Sequence, residues 1–306
     1  FNLNSFQDAD DAARRNRVVV DLFEPGSTFK IFVAAAAIDS GVVNESTIFT
    51  CPGSIQAPSQ TIRCSDKHGV ESFADVLKHS CNVGMIRAAV RLPRERMYLY
   101  LKNFGFGSLT GVTLPGESRG VLRPLRDWSL LSQWTIPIGQ EVSVTAIQIT
   151  AAAAAIANAG VLMEPRIVSR VGSGADARTT APVALRRVVS PQTAARLLAV
   201  LRRVTEKGGT GEKARFAALP IPGKTGTGQI YDVRSRSYMK NRYTTSFVGF
   251  LERPGASVLT IYIALYDPRG AKTGGDAAAP VFRAIGERLV KHLRLLPPDR
   301  TRKIRL

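Results

Sequence analysis

Cysteine is scarce in this chain. Cys51, Cys64 and Cys81 are the only three, and no two stand in Cys-x-x-Cys spacing. Such spacing offers no metal pattern; His68 and His79 lie nearby without completing one, so no metal and no organic cofactor is expected. Cys51 and Cys64 flank a short excursion containing Pro, Gly and Ser whose ends could meet, and an oxidising compartment would allow a disulfide between them. Acidic residues are also few, 24 against 42 Lys and Arg, for a net charge of +18. A charge of that size favours polyanions or an anionic surface. Yet the basic residues are scattered, and the one dense run is 300–305. No zinc-finger spacing, helix-turn-helix signature or aromatic-basic RNA motif accompanies them, so no nucleic-acid partner is expected. Long apolar runs and internal repeats are missing as well. The longest uncharged stretch, 142–163, is Ala-rich but carries Ser143, Thr145, Gln148, Thr150 and Asn158. Its transfer into lipid would be poor, and it reads as a buried helix ended by Gly160. What is present, 44% hydrophobic and 22% charged residues over 306 positions, suits a globular chain with a large core and excludes disorder.

The richest stretch runs from Glu24 to Gly41. Pro25 and Gly26 punctuate a helix start, Gly41 stands where a C-terminal cap belongs, and the residues between are apolar on nearly every face. Two polar residues interrupt that buried helix, Ser27 and, three positions on, Lys30. Residues at i and i+3 share a face, so hydroxyl and amine can meet. Desolvation lowers a lysine pKa, and a neutral amine can take the serine proton. The plainer account is a capping serine with a snorkelling lysine.

Further along, strand-like pieces occur at 47–51 and 60–63, and a helix over 73–79 stops at Ser80-Cys81-Asn82 before another over 83–92. A turn between two helices would let Ser80 and Asn82 point into one cleft, although a helix-capping turn explains them equally. Helices are predicted over 93–104, 191–205 and 276–293, and extended segments over 166–172 and 183–189. A hairpin of 246–251 and 258–266 turns at Pro254-Gly255. Residues 208–211 form a glycine-dense, flexible loop. Gly223-Lys224-Thr225 imitates the end of a phosphate loop. The glycine needed five positions earlier is Ala218, however, and Gly226 and Gly228 spoil the following helix. A strand fits better, its glycines admitting close backbone approach by a ligand and its Lys224, Thr225 and Thr227 suited to an anionic peptide end.

Ser27-Thr28-Phe29-Lys30, Ser80-Cys81-Asn82 and Lys224-Thr225-Gly226 thus stand in order. That set resembles the Ser-x-x-Lys, Ser-x-Asn and Lys-Thr-Gly motifs of the penicillin-recognising serine acyltransferases. Arg15-Asn16-Arg17, Phe23-Glu24-Pro25-Gly26, Gly139-Gln140 with Ser143 to Ala146, Phe247 to Phe250 and Ala279 to Phe282 extend the likeness over almost the whole chain. It is most similar to the transpeptidase domain of class B penicillin-binding proteins, in particular the division-specific (septal) type; elongation-type enzymes share many of these features.

The resemblance implies an α/β (α+β) fold, a central antiparallel sheet covered by helices with a mainly helical subdomain at roughly 41–135, all of 1–306 being one catalytic domain. It also implies that sheet strands, a non-catalytic region and a membrane anchor precede this segment, which would place the protein on the outer face of the bacterial cytoplasmic membrane. The implied chemistry is D,D-transpeptidation of peptidoglycan stem peptides, with β-lactam antibiotics as acylating mimics and division wall-synthesis proteins as partners. Ser27 would be nucleophile, Lys30 base, Ser80 proton relay, Asn82 the group fixing Lys30, and Lys224 the site of the terminal carboxylate. Thr225, Gly226 and Thr227 would bind substrate, and the backbone N–H groups of Ser27 and Thr227 would form the oxyanion hole. Rival readings are a β-lactam-hydrolysing or β-lactam-sensing relative, an inactive scaffold and a polyanion-binding module. A Ser-His-Asp enzyme lacks its Gly-x-Ser-x-Gly elbow.

Overall fold

A helix apolar on every face has to be surrounded by the rest of the molecule. In the computed structural model, which describes residues 3–215, 221–232, 235, 237–252 and 258–293, α1 (Lys30–Asp39) is that helix, with Lys30 to Ala37 completely buried. It does not begin at Pro25-Gly26 as the sequence suggests. Gly26–Phe29 form a separate 3-10 turn, in which Gly26 adopts a φ of +54° and a Cβ would lie 2.5 Å from the Thr227 carbonyl oxygen. Only glycine fits a left-handed position so close to another backbone. Gly41, at φ +71°, follows the helix end as expected.

Next come β1 (Ile48–Cys51), β2 (Ser54–Gln56), β3 (Thr61–Arg63) and β4 (Gly69–Ser72). β1 pairs antiparallel with β4, and β2–β3 is a small hairpin between them. Ser72 caps α2 (Phe73–Lys78), whose end is followed by Ser80 at the left-handed φ of 59°. α3 (Asn82–Ala89) and α4 (Arg94–Asn103) then pack on α1. Phe29, Phe32, Phe104 and Phe106 lock these pieces together, with ring centroids 4.8 to 5.7 Å apart. Each such pair adds about 0.5–1.5 kcal/mol beyond its buried area.

The uncharged stretch 142–163 is only partly helical. α5 (Ala146–Ala157) opens with a capping box between Thr145 and Gln148, and the chain turns at Gly160 into a short strand, Val161–Met163, paired with Ala184–Arg187. Of the extended segment expected over 166–172 only Arg170–Val171 is strand. α6 (Pro191–Arg202) keeps its arginines outside, where Arg196 binds Glu45 bidentately at 2.6 Å.

β5 (Gly223–Asp232), β6 (Ser237–Leu251) and β7 (Leu259–Tyr266) form an antiparallel sheet in the order β7-β6-β5. β6 is longer than its apolar pattern predicts. Its polar first half is held by backbone pairing, Tyr238 opposite Tyr231. In the apolar half, Phe247 and Leu251 face α7 (Gly274–His292), while Val248 and Phe250 join the main core around α1. Phe247 meets Phe282 of α7 at 4.8 Å. The sheet is therefore covered by α7 on one face and helices of the main core on the other, the architecture expected from the sequence. The Pro254-Gly255 turn and the basic run 300–305 lie outside the described residues. Among the described residues no helix is long and apolar enough to cross a membrane.

Candidate active site

Ser27 sits on the 3-10 turn at the mouth of α1, half-buried, on the wall of a cavity of about 770 Å³. Ser80, Asn82, Thr225, Gly226 and Thr227 line the same cavity. Three elements far apart in sequence converge there for local reasons. The buried helix α1 drives Lys30 inward, the left-handed Ser80 links α2 to α3, and β5 lies against the turn that carries Ser27. A Cβ on Gly226 would fall 2.8 Å from Thr28 Cγ2 and 3.0 Å from the Pro25 carbonyl oxygen, so no side chain fits between strand and turn.

Lys30 Nζ donates to the Ser80 carbonyl oxygen at 2.5 Å, to Asn82 Oδ1 at 2.7 Å and to Ser80 Oγ at 3.3 Å. Lys224 Nζ donates to the same Ser80 Oγ at 2.7 Å and to the Thr225 carbonyl oxygen at 3.1 Å. Asn82 Nδ2 in turn donates to the Arg63 carbonyl oxygen at 3.0 Å. The expected contact between Ser27 and Lys30 is indirect. Lys30 spends its hydrogen bonds on Ser80 and Asn82, and Ser27 shares the cavity with both. Catalytic hydrogen bonds are commonly long before substrate arrives and tighten in the complex.

Neither lysine is exposed. Burial pushes the Lys30 amine down to about 8, against the opposing pull of Cys64, Cys81 and Glu71. Burial, reinforced by the nearby Lys30 charge, holds Lys224 well below the ordinary lysine range. A neutral Lys30 has two protons, which its two short bonds to the Ser80 carbonyl and Asn82 occupy. Its lone pair is then free to accept a hydroxyl proton.

The model of the penicillin binding protein transpeptidase domain matches residues 1–287. The chain belongs to that family. It is 35% identical to stage V sporulation protein D of Bacillus subtilis over 93% of its own length and 45% of that protein. To the penicillin-binding protein PbpB of Mycolicibacterium smegmatis it is 36% identical, over 97% and 49%. It thus spans about half the length of these curated relatives. Penicillin binding protein 3 of Mycobacterium tuberculosis, solved in complex with aztreonam, superposes with a TM-score of 0.83 at 33% identity, covering 94% of this chain and 68% of that one.

In this transpeptidase domain the cavity has walls that the motifs do not announce. Thr210, from the glycine-dense loop read as flexible, accepts a hydrogen bond from Thr225 Oγ1 at 2.9 Å and donates its N–H to the Lys78 carbonyl at 3.3 Å. These bonds make the loop part of the cavity wall. Lys213 and Asp276, ion-paired at 2.7 Å, stand at the rim beside Gly274, whose N–H donates to Thr227 Oγ1 at 3.1 Å. A polar residue inside a run of glycines was the one signal for Thr210; nothing local marks Lys213 or Asp276. Behind Ser27, Glu24 accepts from the Glu141 N–H at 3.0 Å and from Tyr238 Oη at 3.0 Å. Burial raises its carboxyl pKa.

The disulfide considered between Cys51 and Cys64 is not formed, all three cysteines being free thiols. The β2–β3 hairpin fills the excursion and delivers Cys64 to the start of α3. There its sulfur lies 3.8 Å from Cys81 Sγ and 3.6 Å from His68 Nδ1.

Proposed function

We propose that this domain is a serine D,D-transpeptidase that crosslinks peptidoglycan stem peptides through a Ser27 acyl-enzyme and is acylated by β-lactams at the same atom. The observation that carries the reading is the shared hydroxyl of Ser80, contacted by Lys224 at 2.7 Å and by Lys30 at 3.3 Å on the wall that holds Ser27. A relative from Caulobacter vibrioides, 30% identical, is named a probable peptidoglycan D,D-transpeptidase FtsI, which supports the same activity.

In this reading Ser27 Oγ attacks the carbonyl of the penultimate D-alanine and its proton passes to the neutral Lys30 amine. The tetrahedral oxyanion is held by the backbone N–H groups of Ser27 and Thr227, worth roughly a hundredfold or more in rate. The C–N bond then breaks. Ser80 Oγ gives its proton to the leaving amine and recovers one from its lysine neighbours. Lys224, with Thr225 and Thr227, receives the terminal carboxylate. A neighbouring stem amine attacks the ester and passes a proton to Lys30; the C–O bond to Ser27 then breaks, and Lys30 returns that proton to the leaving Ser27 Oγ. The septal role, with division wall-synthesis proteins as partners on the outer face of the cytoplasmic membrane, rests on the stretch Phe23 to Lys30 and its likeness to division-type enzymes.

Intact mass after incubation with a penicillin tests the assignment. The parent gains one drug mass and Ser27→Ala, with unchanged circular dichroism, gains none. Equal labelling of both, or steady turnover of a chromogenic cephalosporin in place of one stoichiometric burst, refutes the transpeptidase reading.

A further inference from the structure

Immediately behind the Ser80–Asn82 turn, four side chains that the mechanism does not use converge. They are Cys51 at the end of β1, Cys64 just after β3, His68 before β4, and Cys81, the N-cap of α3. Their ligand atoms, three Sγ and one imidazole nitrogen, all lie within 4.8 Å of one another. Twelve residues separate Cys51 from Cys64, three separate Cys64 from His68, and twelve separate His68 from Cys81. That spacing hides the group in the sequence, because each ligand arrives on a different element.

We propose that Cys51, Cys64, His68 and Cys81 form a structural zinc site that staples the β1–β4 excursion to the N-terminus of α3. A tetrahedral zinc with Zn–S near 2.3 Å and Zn–N near 2.0–2.1 Å sets sulfur atoms about 3.8 Å apart and sulfur and nitrogen about 3.5 Å apart. The Cys64–Cys81 and Cys64–His68 separations are 3.8 and 3.6 Å. Three thiolates and one imidazole are a donor set that favours zinc.

The surroundings suit thiolate ligands. The N–H of Asn82 donates to Cys64 Sγ and that of Gly84 to Cys81 Sγ, each at 3.2 Å, the outer hydrogen bonds that orient metal-bound sulfur. The His68 ring lies flat against His79, centroids 5.5 Å apart and planes 5° off parallel, and His79 Nδ1 faces the Glu71 carboxylate at 3.4 Å. Cys51 and Cys81 are completely buried. Charge fits too. Zn²⁺ with three thiolates carries a net −1 beside Lys30 and Lys224, and among the described residues neither lysine ion-pairs with a carboxylate.

The site's consequence for function runs through Asn82, whose N–H binds one ligand sulfur while its side chain holds Lys30. The metal assignment itself stands whether or not Ser27 is acylated. The test is elemental analysis of the protein purified under reducing conditions and then titrated with zinc sulfate alone, followed by cobalt substitution. We expect a zinc-to-chain ratio close to one, falling below about a tenth in the double variant Cys64→Ser/Cys81→Ser. Cobalt in the parent chain, which needs no variant to fold, should give thiolate-to-metal charge-transfer bands and the intense visible bands of a tetrahedral site. Failure of the reduced parent to bind zinc stoichiometrically overturns the proposal. So does an octahedral cobalt spectrum, or a metal-free Cys64–Cys81 disulfide in non-reducing peptide maps.

Discussion

Raising the pH through 8 should accelerate acylation of Ser27 and then stop accelerating it. With Lys30 pushed down to about 8 by burial, about a tenth of the molecules carry the neutral base at pH 7 and about nine tenths at pH 9, a rise of about tenfold. A solvent-exposed lysine near 10.4 would instead give about a hundredfold rise over the same interval and would still be climbing at pH 10. The second-order rate constant for a fluorescent penicillin, measured by stopped flow from pH 6 to 10.5, separates the two. The same shift has a stability consequence whose sign is fixed. Between pH 8 and 10.5 the unfolded chain holds the Lys30 proton more tightly than the folded one, so stability rises with pH there and is lowest, for this group, below 8. Against a Lys30→Met variant, which cancels the titrating groups that do not interact with Lys30, the parent should gain about 2–3 kcal/mol between pH 7 and 10 in urea unfolding. A flat acylation profile, or one rising without a plateau, refutes the idea of a desolvated amine base.

Two substitutions probe the geometry around that amine. Asn82→Asp places a carboxylate where Oδ1 now lies 2.7 Å from Lys30 Nζ. It should raise the lysine and move the midpoint of the acylation profile about 1 unit or more to the alkaline side; an unmoved midpoint argues that another group is the base. Gly139→Ala would put a Cβ 2.0 Å from the Gly26 carbonyl oxygen at a φ of +79°. It should cost about 2 kcal/mol or more in unfolding free energy and at least tenfold in acylation rate by displacing the Ser27 turn. Parent-like values for both would show that the turn has room to spare.

Legibility followed the range of the physics. The helix α1 could be read because apolar residues on every face admit one environment, and Ser27 and Lys30 because three positions are less than one helical turn. The start of α1 departs from the expected Pro-Gly helix opening because Gly26 serves a close backbone approach from β5 that no local pattern encodes. The polar half of β6 escaped because its pairing with β5 is made by backbone groups. Lys224 and Ser80 lie 144 positions apart, and in the sequence only the family order of their motifs links them. The cysteine cluster had no such order, and its four ligands on four elements stayed invisible until the chain was folded.

What the fold adds to the motifs is an electrostatic imbalance. Two lysines, each wholly buried, address one serine hydroxyl, and among the described residues no carboxylate ion-pairs with either. A buried charge without an ion-pair partner is driven towards its neutral form, which suits the base role proposed for Lys30 but leaves Lys224 poorly charged for the anion site proposed for it. In the proposed mechanism the arrival of a substrate carboxylate would resolve that conflict. An anion beside Lys224 would restore its proton, while Lys30, held by Asn82 and the Ser80 carbonyl, would keep its lone pair for Ser27. On the proposed mechanism the site would discriminate by letting the ligand's own charge complete it: a neutral amide terminus would leave Lys224 uncharged and gain nothing from the desolvation already incurred in folding.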